Sequence, residues 1–229
     1  MKSSILLAFA FALTVPSLQA TIVFGNLAAL TNGGVSSPII GTDLSGKAIG
    51  FTMGADSYQI TSVTLLLLNV GDVPSVDQPL VTIWTSNGTK PIEQVGTAFT
   101  NPVSYTPATS TNYSFTPAAP ITLSANQSYF LVVRGNNTDA NFAWLAGSPT
   151  VEPTGIAGSA IARFGSQNAP VTSYTTSSGN FNWFQIDGTA ISNIPEPSTF
   201  AAVAGIAMLA AAAFRRRTRG ADNTVLIAN

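Results

Sequence analysis

Residues 58–69 read YQITSVTLLLLN, and the fold class follows most directly from this stretch. Its first half is rich in β-branched residues, and its second half contains four consecutive leucines. A short apolar run of this kind fits either a strand covered on both faces or a short helix. The β-branched start, and the turn-forming residues Asn69-Val70-Gly71-Asp72 that follow, favour the strand.

Two runs further along the chain alternate apolar and polar residues. In residues 80–84, LVTIW, Val81 and Ile83 fall on one face, with a threonine between them. In residues 112–116, NYSFT, the tyrosine and the phenylalanine share a face in the same way. A period of two is typical of a half-buried strand, so both runs are predicted to be strands.

The dipeptide Asn87-Gly88 marks the clearest reversal of the chain. Both residue types tolerate the positive φ that a type I′ hairpin turn requires. We therefore predict that residues 80–86 pair with a strand around Gln94. The following Lys90-Pro91 is also compatible with a loop longer than two residues.

Similar runs recur along the middle of the chain, separated by Gly, Pro, Asn and Ser. Ten strands are predicted, at residues 22–24, 48–52, 58–69, 80–86, 94–99, 112–116, 128–134, 141–145, 160–164 and 182–187. Short strands at this spacing are typical of a sandwich. The predicted fold class is all-β, an antiparallel, jelly-roll-like β-sandwich over residues 21–190.

The composition of this domain excludes several functions. Residues 21–194 hold four cations and eight carboxylates, a formal net charge of −4, so no basic face is expected for nucleic acid. The chain has no cysteine and no histidine, which rules out disulfides, Cys/His zinc sites, Ser-His-Asp triads and Cys-His pairs. The core alone must hold the fold, and we expect no cofactor and no metal.

The first 20 residues, MKSSILLAFAFALTVPSLQA, have the pattern of a secretory signal peptide. Lys2 precedes an apolar run at residues 5–15, and Pro16 and a small Ala20 mark a cleavage region. As a helix, the apolar run would span only about 16 Å, roughly half of the hydrocarbon thickness of a bilayer. The chain is therefore predicted to be exported, with residues 1–20 removed.

The carboxy-terminal end has three predicted parts. Residues 191–198 are a linker that contains Pro195-Glu196-Pro197-Ser198, residues 199–214 are an uncharged transmembrane helix, and residues 215–229 are a basic cytoplasmic tail. The sixteen-residue helix would be roughly 24 Å long, short for a permanent span. Its basic cluster would stay on the cytoplasmic side and leave the domain outside. The cluster consists of Arg215, Arg216, Arg217 and Arg219.

The order of these three parts resembles the PEP-CTERM sorting signal. The resemblance implies recognition by exosortase, a membrane-embedded cysteine protease or transpeptidase of Gram-negative bacteria that produce exopolysaccharide. The helix would then tether the precursor transiently to the inner membrane, before delivery to the cell surface or biofilm matrix. A tail that continues to Asn229 departs from most such signals, which end soon after the basic cluster. A plain single-pass anchor is the alternative.

Residues 24–145 also resemble the domain called choice-of-anchor R. The similarity rests on Phe24-Gly25-Asn26, on residues 60–67 (ITSVTLLL) and 81–88 (VTIWTSNG), and on the later runs YSFTP and ITLSANQSYFLVV. Such domains recur joined to different surface-anchoring signals. The resemblance therefore implies a location and an architecture, and it implies no activity.

Few residues suggest chemistry. Glycoside hydrolysis needs two carboxylates across a cleft, and most acids here lie in turn contexts. Asp72 and Asp77 could supply oxygen ligands to calcium, but the dense spacing of known calcium loops is missing, so solvated turn acids are the preferred interpretation. Three tryptophans, with Tyr105 and Tyr174, could form a sugar-stacking platform, although aromatic residues in strands more often belong to the core. The tryptophans are Trp84, Trp144 and Trp183.

These observations predict a non-enzymatic structural or adhesive protein of the cell surface or extracellular matrix. Its predicted partners are an exosortase-type processing enzyme and, transiently, the membrane. The alternative function is a carbohydrate-binding module that acts on exopolysaccharide without catalysis.

Overall fold

The computed structural model describes residues 20–30, 38–40, 45–68, 78–106, 109–136, 141–158, 162–177, 179–191 and 204–212. The chain divides into two compact units, Met1–Ile191 and Ser192–Asn229. In the first unit the described residues form short strands joined by turns.

The strands are β1 (Thr21–Gly25), β2 (Pro38–Ile40), β3 (Ser45–Thr52), β4 (Tyr58–Leu68), β5 (Pro79–Ser86), β6 (Pro91–Val95), β7 (Phe99–Thr100), β8 (Thr111–Pro117), β9 (Thr122–Leu123), β10 (Ser128–Gly135), β11 (Asn141–Trp144), β12 (Arg163–Asn168) and β13 (Phe184–Ala190). Two single-turn 3-10 helices, Leu27–Ala29 and Val171–Ser173, interrupt them.

The strands form two antiparallel sheets. The large sheet has the order β1-β13-β4-β11-β2, and β7, β8 and β9 extend it beside β4. The small sheet has the order β12-β3-β10-β5-β6. This confirms the predicted all-β, antiparallel class.

One hydrophobic core lies between the two sheets. Ile49 and Phe51 of the small sheet belong to the same buried cluster as Val63, Leu65 and Phe184 of the large sheet. The ring centroids of Phe24, in β1, and Phe51, in β3, lie 5.3 Å apart and join the two sheets directly. Burial of this apolar surface is the main stabilising contribution in a chain without disulfides.

Smaller clusters cover parts of both outer faces. On the small sheet, Ala48, Phe130 and Val132 pack with Tyr174 and Val171 from the segment after β12. On the large sheet, Leu66 packs with Trp183. The leucine run is therefore a strand covered on both faces, because Leu65 and Leu67 point into the main core and Leu66 into the outer cluster.

The predicted hairpin is confirmed in its pairing, and its connection is the longer loop that Lys90-Pro91 also allowed rather than a type I′ turn. Trp84 of β5 pairs with Gln94 of β6, and the ladder closes at Ser86 and Pro91. Four residues lie between the strands, and only Gly88, at φ 91°, has the positive φ that a type I′ turn needs at both central positions. The carboxamide Oδ1 of Asn87 instead accepts hydrogen bonds from the backbone N–H groups of residues 89 and 90.

Other strand boundaries differ from the predictions. The run at residues 94–99 divides into β6 and β7, because Gly96 turns the chain at φ 66°. The short strands β2 and β9 were missed, since runs of two or three residues carry little periodicity. The strand predicted at residues 160–164 begins only at Arg163 within the described residues.

In the second unit, residues 204–212 are helical. Within the described residues, no helix is both long and apolar enough to span a membrane. Three of the helix side chains, Ile206, Met208 and Leu209, are between 68 and 74% exposed.

Candidate functional site

Most of the residues singled out for sorting lie outside the described part of the chain. These are the linker motif Pro195, Glu196, Pro197 and Ser198 and the basic cluster Arg215, Arg216, Arg217 and Arg219. The candidate calcium ligands Asp72 and Asp77 also lie outside it. Among the described residues, no group of three or more Asp or Glu side chains could hold a metal ion.

The predicted aromatic platform does not form. Trp144 is fully buried in the core between the sheets, and Trp183 is buried in the cluster outside the large sheet. Trp84 is half-buried against the cluster outside the small sheet. Because the three rings belong to three separate clusters, they present no common face on which a sugar could stack.

The two tyrosines are not part of such a face either. Tyr105 is half-buried and packs against Tyr113, with ring centroids 4.8 Å apart. Tyr174 is buried against Phe164 in the outer cluster of the small sheet. The core interpretation of these aromatic residues is therefore the correct one.

A buried asparagine joins three distant segments at one end of the large sheet. Asn26, 3% exposed, donates through Nδ2 to the carbonyl oxygens of Val151 and Asn182, at 3.1 and 3.2 Å. Its Oδ1 accepts from the backbone N–H of Phe184 at 3.0 Å. A single side chain thus pairs with three backbone groups, and two of these hydrogen bonds are buried.

The bonds continue through a second asparagine. Asn182 donates through Nδ2 to the carbonyl oxygen of Trp144, and the indole N–H of Trp144 donates to the carbonyl oxygen of Trp183 at 2.9 Å. We call these three residues, Asn26, Trp144 and Asn182, the asparagine network. Its side chains connect the end of β1 with the segment that leads into β13.

Asn182 also lines a cavity of about 130 Å³. Its polar lining consists of Lys47, Arg163, Ser177, Asn180 and Asn182, and the rest of its wall is alanine, phenylalanine and glycine. Lys47 and Asn182 are buried, Arg163 and Ser177 are half-buried, and Asn180 is exposed. The cavity therefore runs from an exposed rim to a buried floor, and we call it the cationic cavity.

Strand geometry explains why two cations meet there. Side chains alternate along β3, so Lys47 lies on the same face as Ile49 and Phe51, which belong to the core between the sheets. Arg163 of β12 pairs with Ile49 in the ladder, and its guanidinium carbon lies 4.6 Å from the ring centroid of Phe181. This cation–π contact holds the charge over an aromatic face.

Burial changes the electrostatics of this end of the small sheet. Desolvation lowers the pKa of Lys47 to about 7. Burial also raises the pKa of Tyr174 to about 12, against the opposing effect of Arg134 on the outer face of the sheet. Three of the four cations of the domain therefore lie on β3, β10 and β12, which are neighbours.

Comparison with known proteins adds no assignment. The chain matches no family model, no curated protein and no solved structure.

The sequence analysis did not identify the asparagines of the asparagine network or the cations of the cationic cavity as site residues. Lys47 precedes a predicted strand, and its spacing from Ile49 and Phe51 places it on their face if the strand is extended by one residue. That spacing, in a domain with so few cations, is the one local signal of a buried charge. Nothing local distinguishes Asn26 or Asn182 from the many asparagines of the turns.

Proposed function

We propose that the protein is an exported structural or adhesive component of the cell surface or extracellular matrix. In this proposal residues 1–20 are a signal peptide, and the domain is a jelly-roll-like sandwich outside the cell. Residues 199–214 tether the precursor until an exosortase-type enzyme acts near Pro195-Glu196-Pro197-Ser198. The ordered carboxy-terminal sequence of proline motif, apolar run and arginines carries the proposal.

The helix at residues 204–212 supports a tethering role for the carboxy-terminal end. Its large apolar side chains Ile206, Met208 and Leu209 are mostly exposed. Exposed apolar surface of this kind is unfavourable in water and typically marks a surface that another apolar phase or partner covers. If the helix is a tether, the hydrocarbon of the membrane covers this surface.

The β domain is suited to an extracellular role in two respects. Its core spans both sheets without cysteine, so its stability does not depend on the redox state of its surroundings. Its hydroxyl-rich exposed strand positions, such as Ser114 and Thr116 of β8, offer hydrogen-bonding groups to a hydrated matrix. The alternative function, carbohydrate binding, rested on a shared tryptophan platform, and the three tryptophans lie in separate clusters.

The test is the intact mass of the mature protein, recovered from the cell surface and medium of cells with and without the processing enzyme. We expect loss of the residues after the proline motif only when the enzyme is present. Pro195→Ala combined with Pro197→Ala should prevent this loss. Glu196→Ala changes the acidic residue of the motif and should also reduce this loss. Glu152→Ala, at an exposed position in the β domain, is its matched control and should be processed normally.

A mature chain that keeps Arg215, Arg216, Arg217 and Arg219 in the presence of the enzyme would show a permanent anchor. The exosortase proposal would then be wrong.

A further inference from the structure

The cationic cavity gathers hydrogen-bond donors around a small volume. Lys47 and Arg163 bring two basic side chains. The Oδ1 of Asn180 accepts from the hydroxyl of Thr150 at 2.8 Å, which leaves its NH₂ group as the donor at the rim. Ser177 Oγ accepts from the backbone N–H of Gly179 at 3.2 Å, so the hydroxyl hydrogen remains available to donate.

The described residues that line the cavity include no carboxylate. This is notable because the domain as a whole carries twice as many carboxylates as cations. Two of its few cations therefore converge on one cavity, whose field attracts negative charge.

Burial of a lysine at this position is unfavourable for the free energy of folding. Lys47 is 2% exposed and shares its strand face with Ile49 and Phe51, where an apolar side chain would pack without loss of hydration. Charged groups that are desolvated and face a cavity are typical of binding sites rather than of stabilising cores. The position is therefore better explained by binding than by stability.

We propose that the cationic cavity binds a single oxyanion group, a carboxylate, sulfate or phosphate, at Lys47 and Arg163. The planar guanidinium of Arg163 suits two oxygens of one such group, and Lys47 adds a compact charge from the floor. A volume of about 130 Å³ is close to the roughly 150 Å³ that accommodates a benzene ring in an engineered cavity. The site can therefore admit the oxyanion with a few attached atoms, and an acidic sugar or a free anion could supply it.

Binding should depend on pH through Lys47. Among the described cations, Arg163 on β12 lies on the same face of the sheet as Lys47, and Arg134 of β10, with Tyr174 beside it, lies on the opposite face. Burial raises the pKa of Tyr174 to about 12 and lowers that of Lys47 to about 7, so the titration expected in the neutral range is that of Lys47. An anion favours the protonated lysine; at pH 8 binding should therefore draw about one proton from solution.

Calorimetric titration of the purified, full exported protein tests the proposal. The probes are sodium glucuronate, acetate, inorganic sulfate and inorganic phosphate, with glucose as the neutral control. We expect saturable binding of at least one anion, proton uptake at pH 8, and no binding of glucose. Lys47→Met should weaken binding at least tenfold at pH 6.5, Asn180→Ala should weaken it about threefold, and Lys90→Met should leave it unchanged.

Lys90 is an exposed lysine in the β5–β6 turn, so it controls for the loss of one positive charge. Tighter binding of glucuronate than of acetate would identify an acidic sugar as the source, and equal binding would identify a free anion. The proposal is overturned if no anion binds, or if Lys47→Met and Lys90→Met behave alike. This outcome is independent of the sorting proposal, which the mature mass tests.

Discussion

The asparagine network and the cationic cavity share Asn182, but they differ in how they accommodate buried polar groups. In the network, Asn26 satisfies three backbone groups and is itself enclosed. In the cavity, Lys47 and Arg163 bring charge into a space that reaches an exposed rim. The first arrangement stabilises the fold through hydrogen bonds between neutral groups. The second takes charged side chains out of water, which costs folding energy, and it forms a cavity that a ligand can fill.

This difference predicts that the two sites affect different properties, namely stability for the asparagine network and ligand binding for the cationic cavity. A satisfied neutral network should affect stability strongly and binding weakly. A desolvated lysine should affect binding and pH dependence strongly. Three measurements test this distinction.

The largest expected effect is on the network. Asn26→Ala removes three hydrogen bonds and leaves the backbone N–H of Phe184 and two carbonyl groups buried without that partner, so we expect a loss of about 4 kcal/mol in the free energy of unfolding. Urea denaturation measures it. Asn112→Ala, at an exposed position of β8, should cost less than about 0.5 kcal/mol. A difference below 1 kcal/mol between the two variants would show that the network does not hold the fold.

The next effect concerns the pH dependence of stability. In the native state the pKa of Lys47 is lowered to about 7 from its ordinary 10.5, so between these values the unfolded chain holds a proton that the native chain has lost. Stability should therefore rise with pH from about 7, by roughly 3 kcal/mol at pH 9.5. Above about pH 10 the opposite effect begins, because burial raises the pKa values of Tyr105 and Tyr174 in the native state.

Urea denaturation at pH 7, 8 and 9.5 measures this dependence. Lys47→Met should remove the rise, whereas Lys90→Met should keep it. A wild-type curve that is flat over this window would mean that Lys47 is not desolvated as its position requires.

The smallest effect compares two buried indoles. The N–H of Trp144 donates to a carbonyl oxygen, whereas the N–H of Trp183 is buried without a hydrogen-bond partner among the described residues. Replacement by Phe removes similar volume at both sites, but only Trp144→Phe breaks a hydrogen bond. We expect Trp144→Phe to cost about 1 kcal/mol more in thermal or urea unfolding. Equal losses of stability would indicate that packing alone, and not the hydrogen bond of Trp144, determines the effect of both substitutions.

Local patterns identified most of the strands, and their failures have physical reasons. Alternation in residues 112–116 correctly placed Tyr113 and Phe115 on a buried face. The same rule misjudged Thr82, which is buried because a second cluster covers the outer face of the small sheet. Periodicity reports which side chains share a face, and it carries no information about what covers the other face.

The all-β class can be read from the sequence alone, because a period of two and the chemistry of turns act between neighbouring residues. The sequence also shows that cysteine and histidine chemistry is absent. No local pattern indicates that Asn26 hydrogen-bonds to Asn182 or that Lys47 and Arg163 line one cavity. In each pair the residues are more than 100 positions apart, and the pairing of β12 with β3 and the path of the chain into β13 bring them together.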